Sequence, residues 1–171
     1  MGEKLLVMSD SHGAVEEVAK VYKRHEAEVQ AVIHCGDSEL KASAPELENF
    51  YVVNGNCDPS GTFPEEITVQ AGGLNVFAAH GHLLNVKMSH QSLLYKAEES
   101  EASLACFGHS HVPEAYKVGS TVLLNPGSLL FPRQTTIPSY AIVTTGDGQV
   151  VEVRFYETKT GSEIEDWQKH F

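Results

Sequence analysis

Short apolar runs bounded by turn residues recur along the whole chain, and they constrain its fold more than any other feature. Leu5-Leu6-Val7-Met8, Ala31-Val32-Ile33, Tyr51-Val52-Val53, Ile67-Thr68-Val69, Val76-Phe77-Ala78-Ala79, Leu104-Ala105-Cys106-Phe107, Val122-Leu123-Leu124, Tyr140-Ala141-Ile142-Val143 and residues 150–156 each have the length and composition of a β-strand. None approaches the roughly 18 apolar residues of a membrane span. Between the first two runs, Val15, Val18, Ala19 and Tyr22 recur at i, i+3, i+4 and i+7 with charges on the opposite face, which predicts an amphipathic helix. A strand, a helix and a strand in that order require parallel pairing. A second helix is expected near residues 45–49. A third is expected over about 89–101, with Ser89 as its cap and Leu93, Leu94 and Ala97 facing inward. In the last third, Gly146-Asp147-Gly148 is a hairpin signal, so the pairing there is antiparallel. No Pro-, Gly- or Ser-rich boundary and no internal repeat divides the chain. The expected architecture is one α/β domain over residues 1–171, with two mixed sheets packed face to face.

The 171 residues carry 12 Lys and Arg against 23 Asp and Glu, a formal charge of −11 with the 9 histidines neutral. A domain of this length buries roughly 68–70% of the surface its unfolded chain exposes, so it needs neither disulfide nor structural metal to fold. The acidic balance argues against a nucleic-acid polymer as partner, because displacing counterions from phosphates requires a basic face. A small anionic substrate fits only where bound cations invert the local field. Met1-Gly2-Glu3-Lys4 lacks the apolar segment of a secretory signal, and Leu6 stands where a myristoylation motif requires Ser or Thr. Cys35, Cys57 and Cys106 are odd in number and lack CxxC spacing, which suits a reducing compartment. The expected location is the cytoplasm, with no membrane partner; the sequence assigns no oligomeric state.

Histidine, aspartate and asparagine collect just after the strand runs, where loops build sites in α/β proteins. The clusters are Asp10-Ser11-His12, Gly36-Asp37, Gly55-Asn56-Cys57-Asp58, His80-Gly81-His82 and Gly108-His109-Ser110-His111. A carboxylate and an imidazole two residues apart in an extended loop project to one side and can share a divalent ion. The same spacing recurs at His109 and His111. Mixed carboxylate, amide and imidazole donors suit Mn, Fe, Ni, Co or Zn better than an oxygen-only cage or a thiolate site would. Seven candidate donors exceed one tetrahedral ion. If Asp37 bridges, they divide into two sites of four, the arrangement of a two-metal phosphoester hydrolase. Each motif alone is also compatible with turn chemistry or solvated histidines; their joint placement is what carries the reading.

In that order the motifs DxH, GD, GN, GH and GHxH resemble the calcineurin-like metallophosphoesterases over residues 10–111. GNCD, HGH and the later Asn125-Pro126-Gly127-Ser128 look closest to the small YfcE/YsnB-type bacterial phosphodiesterases, and extend the resemblance over most of the chain. The resemblance implies a four-layer αββα sandwich. It implies one ion on Asp10, His12, Asp37 and His111, and a second on Asp37, Asn56, His80 and His109. Manganese comes first, with nickel, iron, cobalt, zinc or magnesium as alternatives. The implied reaction is hydrolysis of a small soluble phosphoester, most readily a diester. Both ions would hold the phosphate oxygens, with Asn56 also touching substrate, while a hydroxide between them attacks phosphorus in line.

One position departs from the family pattern: Cys57 replaces the histidine of GNH[DE] that in relatives protonates the departing oxygen or steadies the phosphate. A thiol of ordinary pKa, near ~8.5, is a poor substitute donor. His82 is the nearest alternative catalytic group, or else a loop cap. Asp58 either orients Cys57 or a ligand histidine, or forms an Asx turn before Pro59. Arg133 is a candidate phosphate contact through its planar fork, or a solvated loop arginine. The rival reading is a binding scaffold, because the retromer subunit of eukaryotes keeps this fold as an interaction module with a degraded metal site.

Overall fold

A computed structural model describes residues 2–171. Eleven strands form two sheets. The first sheet has the order β11-β10-β9-β1-β2-β3, built from β1 (Lys4–Met8), β2 (Ala31–His34), β3 (Phe50–Val52), β9 (Ser139–Gly146), β10 (Gln149–Glu157) and β11 (Lys169–His170). The second has the order β4-β5-β6-β8-β7, built from β4 (Glu66–Ala71), β5 (Leu74–Ala79), β6 (Leu104–Cys106), β7 (Glu114–Val118) and β8 (Thr121–Asn125). β1, β2 and β3 are mutually parallel, as are β5, β6 and β8, and antiparallel strands flank each trio.

The apolar runs are nearly unbroken because these strands are covered on both faces. Alternate residues divide by parity between the two faces. Leu5, Val7, Val76, Ala78, Leu104, Cys106, Val122, Leu124, Ala141 and Val143 point into one core between the sheets. Leu6, Met8, Tyr140 and Ile142 point outward beneath α1 (Val15–His25), against Val18 and Val21. Phe77, Ala79, Ala105, Phe107 and Leu123 point the other way beneath α2 (Gln91–Glu99), against Leu93 and Ala97. The layers are therefore α1, sheet, sheet and α2, the expected αββα sandwich. Full burial of a side chain such as Leu93 contributes roughly 1.5–3 kcal/mol.

Several local expectations are corrected. The inward stripe of α1 is Val18, Val21, Tyr22 and His25, while Val15 and Ala19 are exposed. The His25 ring supplies a polar end to that stripe by bonding the Tyr140 hydroxyl at 2.8 Å. The helix expected near 45–49 is a single 3-10 turn, Pro45–Leu47, entered through Pro45 and too short to sustain α-helical bonding. The cap of α2 is His90; Ser89 lies one residue earlier and accepts the Gln91 N–H at 3.1 Å. β7 and β11 carry no apolar run. β7 reads Glu-Ala-Tyr-Lys-Val because it is an edge strand with one face in solvent. Among the described residues no helix is long and apolar enough to cross a membrane.

Candidate metal centre

The six parallel strands, three from each sheet, end at the same edge of the sandwich, and each delivers one polar loop there. Five are the clusters read from sequence, and the sixth is Asn125-Pro126-Gly127-Ser128 after β8. Hydrogen bonds knit adjacent loops within each sheet. The Asp10 N–H donates to the Gly36 carbonyl at 3.0 Å, His12 N–H to Asp37 at 2.9 Å, and Gly108 N–H to His80 at 2.9 Å.

At the centre stands the fully buried Asp10. Its Oδ2 accepts from Ser9 Oγ at 2.6 Å and from the His109 N–H at 3.1 Å. Its Oδ1 has no hydrogen-bond partner. That orphaned oxygen faces three imidazoles, with His111 Nε2 at 3.1 Å, His80 Nε2 at 3.7 Å and His12 Nε2 at 3.8 Å. Each of the three rings has its other nitrogen committed. His80 Nδ1–H donates to the Cys35 carbonyl at 2.8 Å, His111 Nδ1–H to the Phe131 carbonyl at 2.7 Å, and His12 Nδ1–H to Glu39 Oε1 at 2.6 Å. Because those partners only accept, each Nδ1 carries a proton, and a ring in its neutral form turns its Nε2 lone pair inward. His12 and His111 Nε2 lie 3.3 Å apart, a spacing at which two lone pairs repel unless a cation or a proton sits between them. This donor set fits divalent cations.

Three groups of donor atoms lie within 4.8 Å of one another: Asp10, His12 and His111; Asp10, Asp37 and His80; and His12, Glu39 and Cys57. Asp37 Oδ2 is 3.2 Å from His80 Nε2, and Asn56 Oδ1 is 3.1 Å from the same nitrogen. The His109 ring stands edge-on to His80, with centroids 5.1 Å apart. Five of the seven expected donors fall in the first two groups, which share the Asp10 carboxylate, and Asn56 and the His109 ring lie beside His80. Burial opposes charge on the Asp37 carboxyl, yet the His80 bond and charge leave it well below the usual carboxylate range. The same burial opposes a charged His80, but the Asp37 and Asp10 carboxylates raise its proton affinity. His109 is held down to about 4 by burial and then by the charges of His80 and Lys87, so its ring is neutral.

Glycine lets the loops approach. A Cβ on Gly55 would stand 2.0 Å from Asp37 Oδ1, and one on Gly108 would stand 2.1 Å from Ser9 Oγ. The Asp58 carboxylate accepts the N–H groups of Asp37 (2.9 Å), Gly55 (2.8 Å) and Glu39 (2.8 Å). The sequence offered it as a group orienting Cys57 or a ligand histidine, or as an Asx turn before Pro59; its carboxylate instead clamps the loop that carries Asp37. Cys57 is exposed at the mouth, and its thiol is pushed up to about 11 by burial of the sulfur and by the Asp37, Glu39 and Asp58 carboxylates. His82 opens a short 3-10 turn, with its ring 5.3 Å from that of His80 and a buried Nδ1 that lacks a partner. Burial, and then the neighbouring His80, lower its proton affinity. Arg133 is not among the converging donors. Its N–H donates to the His111 carbonyl at 2.9 Å, and its exposed side chain lines a cleft alongside.

The sequence alone did not single out the groups that hold the donors. Ser128 Oγ donates to the Asp10 carbonyl at 2.7 Å and accepts the Phe131 N–H at 2.7 Å, which fixes the carbonyl that orients His111. Asn125 Nδ2 donates to the Gly108 carbonyl at 3.1 Å and to Ser110 Oγ at 3.0 Å. The Asn-Pro-Gly-Ser segment is thus a brace for the first and last donor loops. Glu39, which holds the His12 ring, is signalled in the sequence only by its place two residues after Asp37 in the same loop. His34 is fully buried behind the loops. It accepts the Gly36 N–H at Nδ1 (3.1 Å), so its Nε2–H donates to Ser11 Oγ (2.9 Å), and burial holds it down to about 4.

Comparison with known proteins agrees with this architecture. The calcineurin-like phosphoesterase superfamily domain matches residues 4–148. The chain is 45% identical over 164 residues to the probable metallophosphoesterase YsnB of Bacillus subtilis, covering 96% of each. It is 27% identical over 170 residues to a phosphodiesterase of Methanocaldococcus jannaschii, covering 88% of this chain and 98% of that protein. The crystal structure of a conserved predicted phosphoesterase from Streptococcus pneumoniae superposes with a TM-score of 0.94 at 36% identity, covering 100% of this chain and 98% of that one. Matched over most of its length by sequence and over all of it by fold, the chain belongs to the calcineurin-like phosphoesterase superfamily.

Proposed function

We propose that this protein is a cytoplasmic phosphodiesterase that uses two divalent cations, manganese foremost, to hydrolyse a small soluble phosphoester. The observation that carries the reading is the orphaned Asp10 Oδ1 facing three Nε2 atoms whose rings are each fixed by a committed Nδ1–H. A scaffold would have no physical need for such an uncompensated buried oxygen, which costs roughly 1–3 kcal/mol when left unmatched.

One cation would be held by Asp10, His12, Asp37 and His111 and the other by Asp37, Asn56, His80 and His109. When bound, the cations supply Lewis-acid chemistry, polarising the phosphoryl oxygens and making water a better nucleophile near neutral pH. The chain's own residues do the rest. The Asp37 carboxylate is kept ionised and held against Gly55 by the Cys57 N–H at 2.8 Å, with its other oxygen turned to His80. Asp58 and Ser128 fix the backbones of the Asp37 and Asp10 loops, so the donors do not reorganise when substrate arrives. Asn56 lies exposed at the mouth, where its amide can meet a phosphate oxygen. His82 and Cys57 flank the same opening, and neither is built as a strong proton donor to the departing oxygen.

The test is hydrolysis of a panel of mono- and diesters by metal-stripped protein with Mn, Ni, Mg and Zn restored in turn. Turnover of diesters that follows the added cation, with two ions bound per chain, is the expected result. Equal turnover by the stripped protein, or a single ion at full occupancy, would overturn the two-metal scheme.

A further inference from the structure

Beside the histidine loop lies a cleft of about 560 Å³ whose lining includes Val86, Lys87, His90, Ser110, Glu114 and Arg133. Ser110 sits between His109 and His111, so the cleft and the candidate metal centre share a wall. In a chain of net charge −11, this lining is unusual: its cations outnumber its carboxylates with every histidine taken as neutral. The clefts beside β3, beside the C-terminal 3-10 turn, at the start of β2 and at the end of α2 are each lined by more carboxylates than cations.

The two cations are also uncommitted. Lys4, Lys96 and Arg154 each hold a glutamate, whereas among the described residues Lys87 and Arg133 are in no ion pair. The floor beneath them is fixed. His90 Nδ1 bonds the Tyr116 hydroxyl, and the His90 ring packs edge-on against buried Phe107, with centroids 4.8 Å apart. The Glu114 carboxylate lies 3.8 Å from His90 Nε2 and is the one acid in the lining. Two free cations on a firm base, one of them a guanidinium whose fork matches paired oxygens, form a receptor for an anion.

We propose that this cleft receives a second anionic group of the substrate, so that the preferred phosphoester carries a further phosphate or carboxylate on the portion lying over Ser110. The inference rests on the phosphoesterase reading and names the class of substrate within it. The metals act on one phosphorus, and Lys87 and Arg133 select what is attached to it.

The test uses three para-nitrophenyl phosphodiesters with the same leaving group, whose other arm ends in a phosphate, a carboxylate or a hydroxyl. For the cation-loaded wild-type protein, kcat/KM for an anionic arm should exceed that for the hydroxyl arm by about tenfold or more, a difference near ~1.4 kcal/mol. Comparing the phosphate and carboxylate arms identifies which anion is taken. Lys87→Glu and Arg133→Glu should each bring the ratio towards one, while Glu114→Gln should raise it, an opposite sign that a merely structural role would not produce. Lys20→Glu, on exposed α1, should leave the ratio unchanged, and added salt should shrink it. A ratio near one in the wild type, or one insensitive to both charge reversals, would overturn the inference while hydrolysis of the hydroxyl-armed ester upholds the phosphoesterase reading. Failure to cleave any of the three with any cation would overturn both.

Discussion

At the end of the sandwich remote from the histidines, the β4–β5, β7–β8 and β9–β10 hairpins reverse through Gly72-Gly73, Gly119-Ser120 and Asp147-Gly148. Left-handed φ values there, +60° and +76°, +61°, and +54° and +73°, fall on glycine everywhere except Asp147. At the opposite end the same backbone region is occupied by Asp10 (+53°), His12 (+43°), Asp37 (+55°), His109 (+68°) and His111 (+62°). A side chain in that region costs of order 1–3 kcal/mol, and glycine avoids the cost. The hairpin turns at one end are therefore cheap, while the other end carries strain at five residues that are all candidate cation donors. Strain of that size persists only where the surroundings enforce it. Here the enforcement is visible as the bonds from Ser128, Asp58, Gly36 and His80 to the loop backbones.

The largest effect is expected from Asp37→Ala, which should lower turnover by more than about a hundredfold and release metal, with little loss of folded stability. Asp10→Ala sharpens the point. If Asp37 bridges the ions, its loss should be the more damaging of the two; if Asp10→Ala alone strips both ions, the bridge is Asp10. Metal content and thermal denaturation measured on the same samples decide this. Next comes Gly55→Ala, whose Cβ would collide with Asp37 Oδ1. Activity should fall on the order of 10²-fold, as ångström-scale misplacement does elsewhere, and wild-type turnover would break the claim that the loops at this end are packed to contact.

The pH dependence of folding separates the two ends in another way. His34 must be neutral in the fold, with a pKa near 4 against 6.5 when unfolded, so the unfolded chain binds more protons. Stability is complete above pH 6.5 and falls as pH drops towards 4, by roughly 3 kcal/mol at full protonation. Denaturation curves measured across that window should flatten in His34→Gln.

Cys57→His should make the rate depend less steeply on leaving-group pKa, with a gain of at most about 10²–10⁴-fold on poor leaving groups. The exposed side chain leaves room for a ring. Equal slopes in the two proteins, at equal metal occupancy, would show that a proton already comes from another group. The smallest effect belongs to the remote end. Gly73→Ala meets nothing within 4 Å and should cost only about 1 kcal/mol of stability, leaving activity unchanged. A substantial loss of activity there would erase the contrast between the two ends.

The unequal legibility of the chain follows from the same contrast. Strands buried on both faces announce themselves by composition, so β1, β2, β5, β6, β8 and β9 were readable to within a residue or so at most ends. β7 was not, because an edge strand alternates polar with apolar residues and resembles a loop. In α1 the stripe read from sequence is half right: Val18 and Tyr22 face inward, but Val15 and Ala19, apolar and correctly spaced, face solvent, and only packing shows that the buried face continues to His25, whose polar ring is accommodated by Tyr140. The candidate donors were readable as a set because they sit in short motifs after strands, which the fold brings to one edge. Their supports were not, since the groups braced by Ser128, Asn125 and the Cys35 carbonyl are distant in sequence. Asp58 was noticed, yet its backbone partners could not be foreseen from its motif.

The bond from Ser128 Oγ to the Asp10 carbonyl spans 118 positions of the chain. During synthesis, which proceeds from the N-terminus, the first donor loop emerges long before the residue that pins it. Asp10 cannot be locked into its strained backbone until β8 has been made and seated. Capture of a cation at this site would then be a late event in the life of each molecule, made on a finished frame rather than serving as a nucleus for it. A cell short of the metal would consequently accumulate folded, empty protein that can be loaded at once when the ion returns, and the bound ion would add stability in proportion to the logarithm of its concentration.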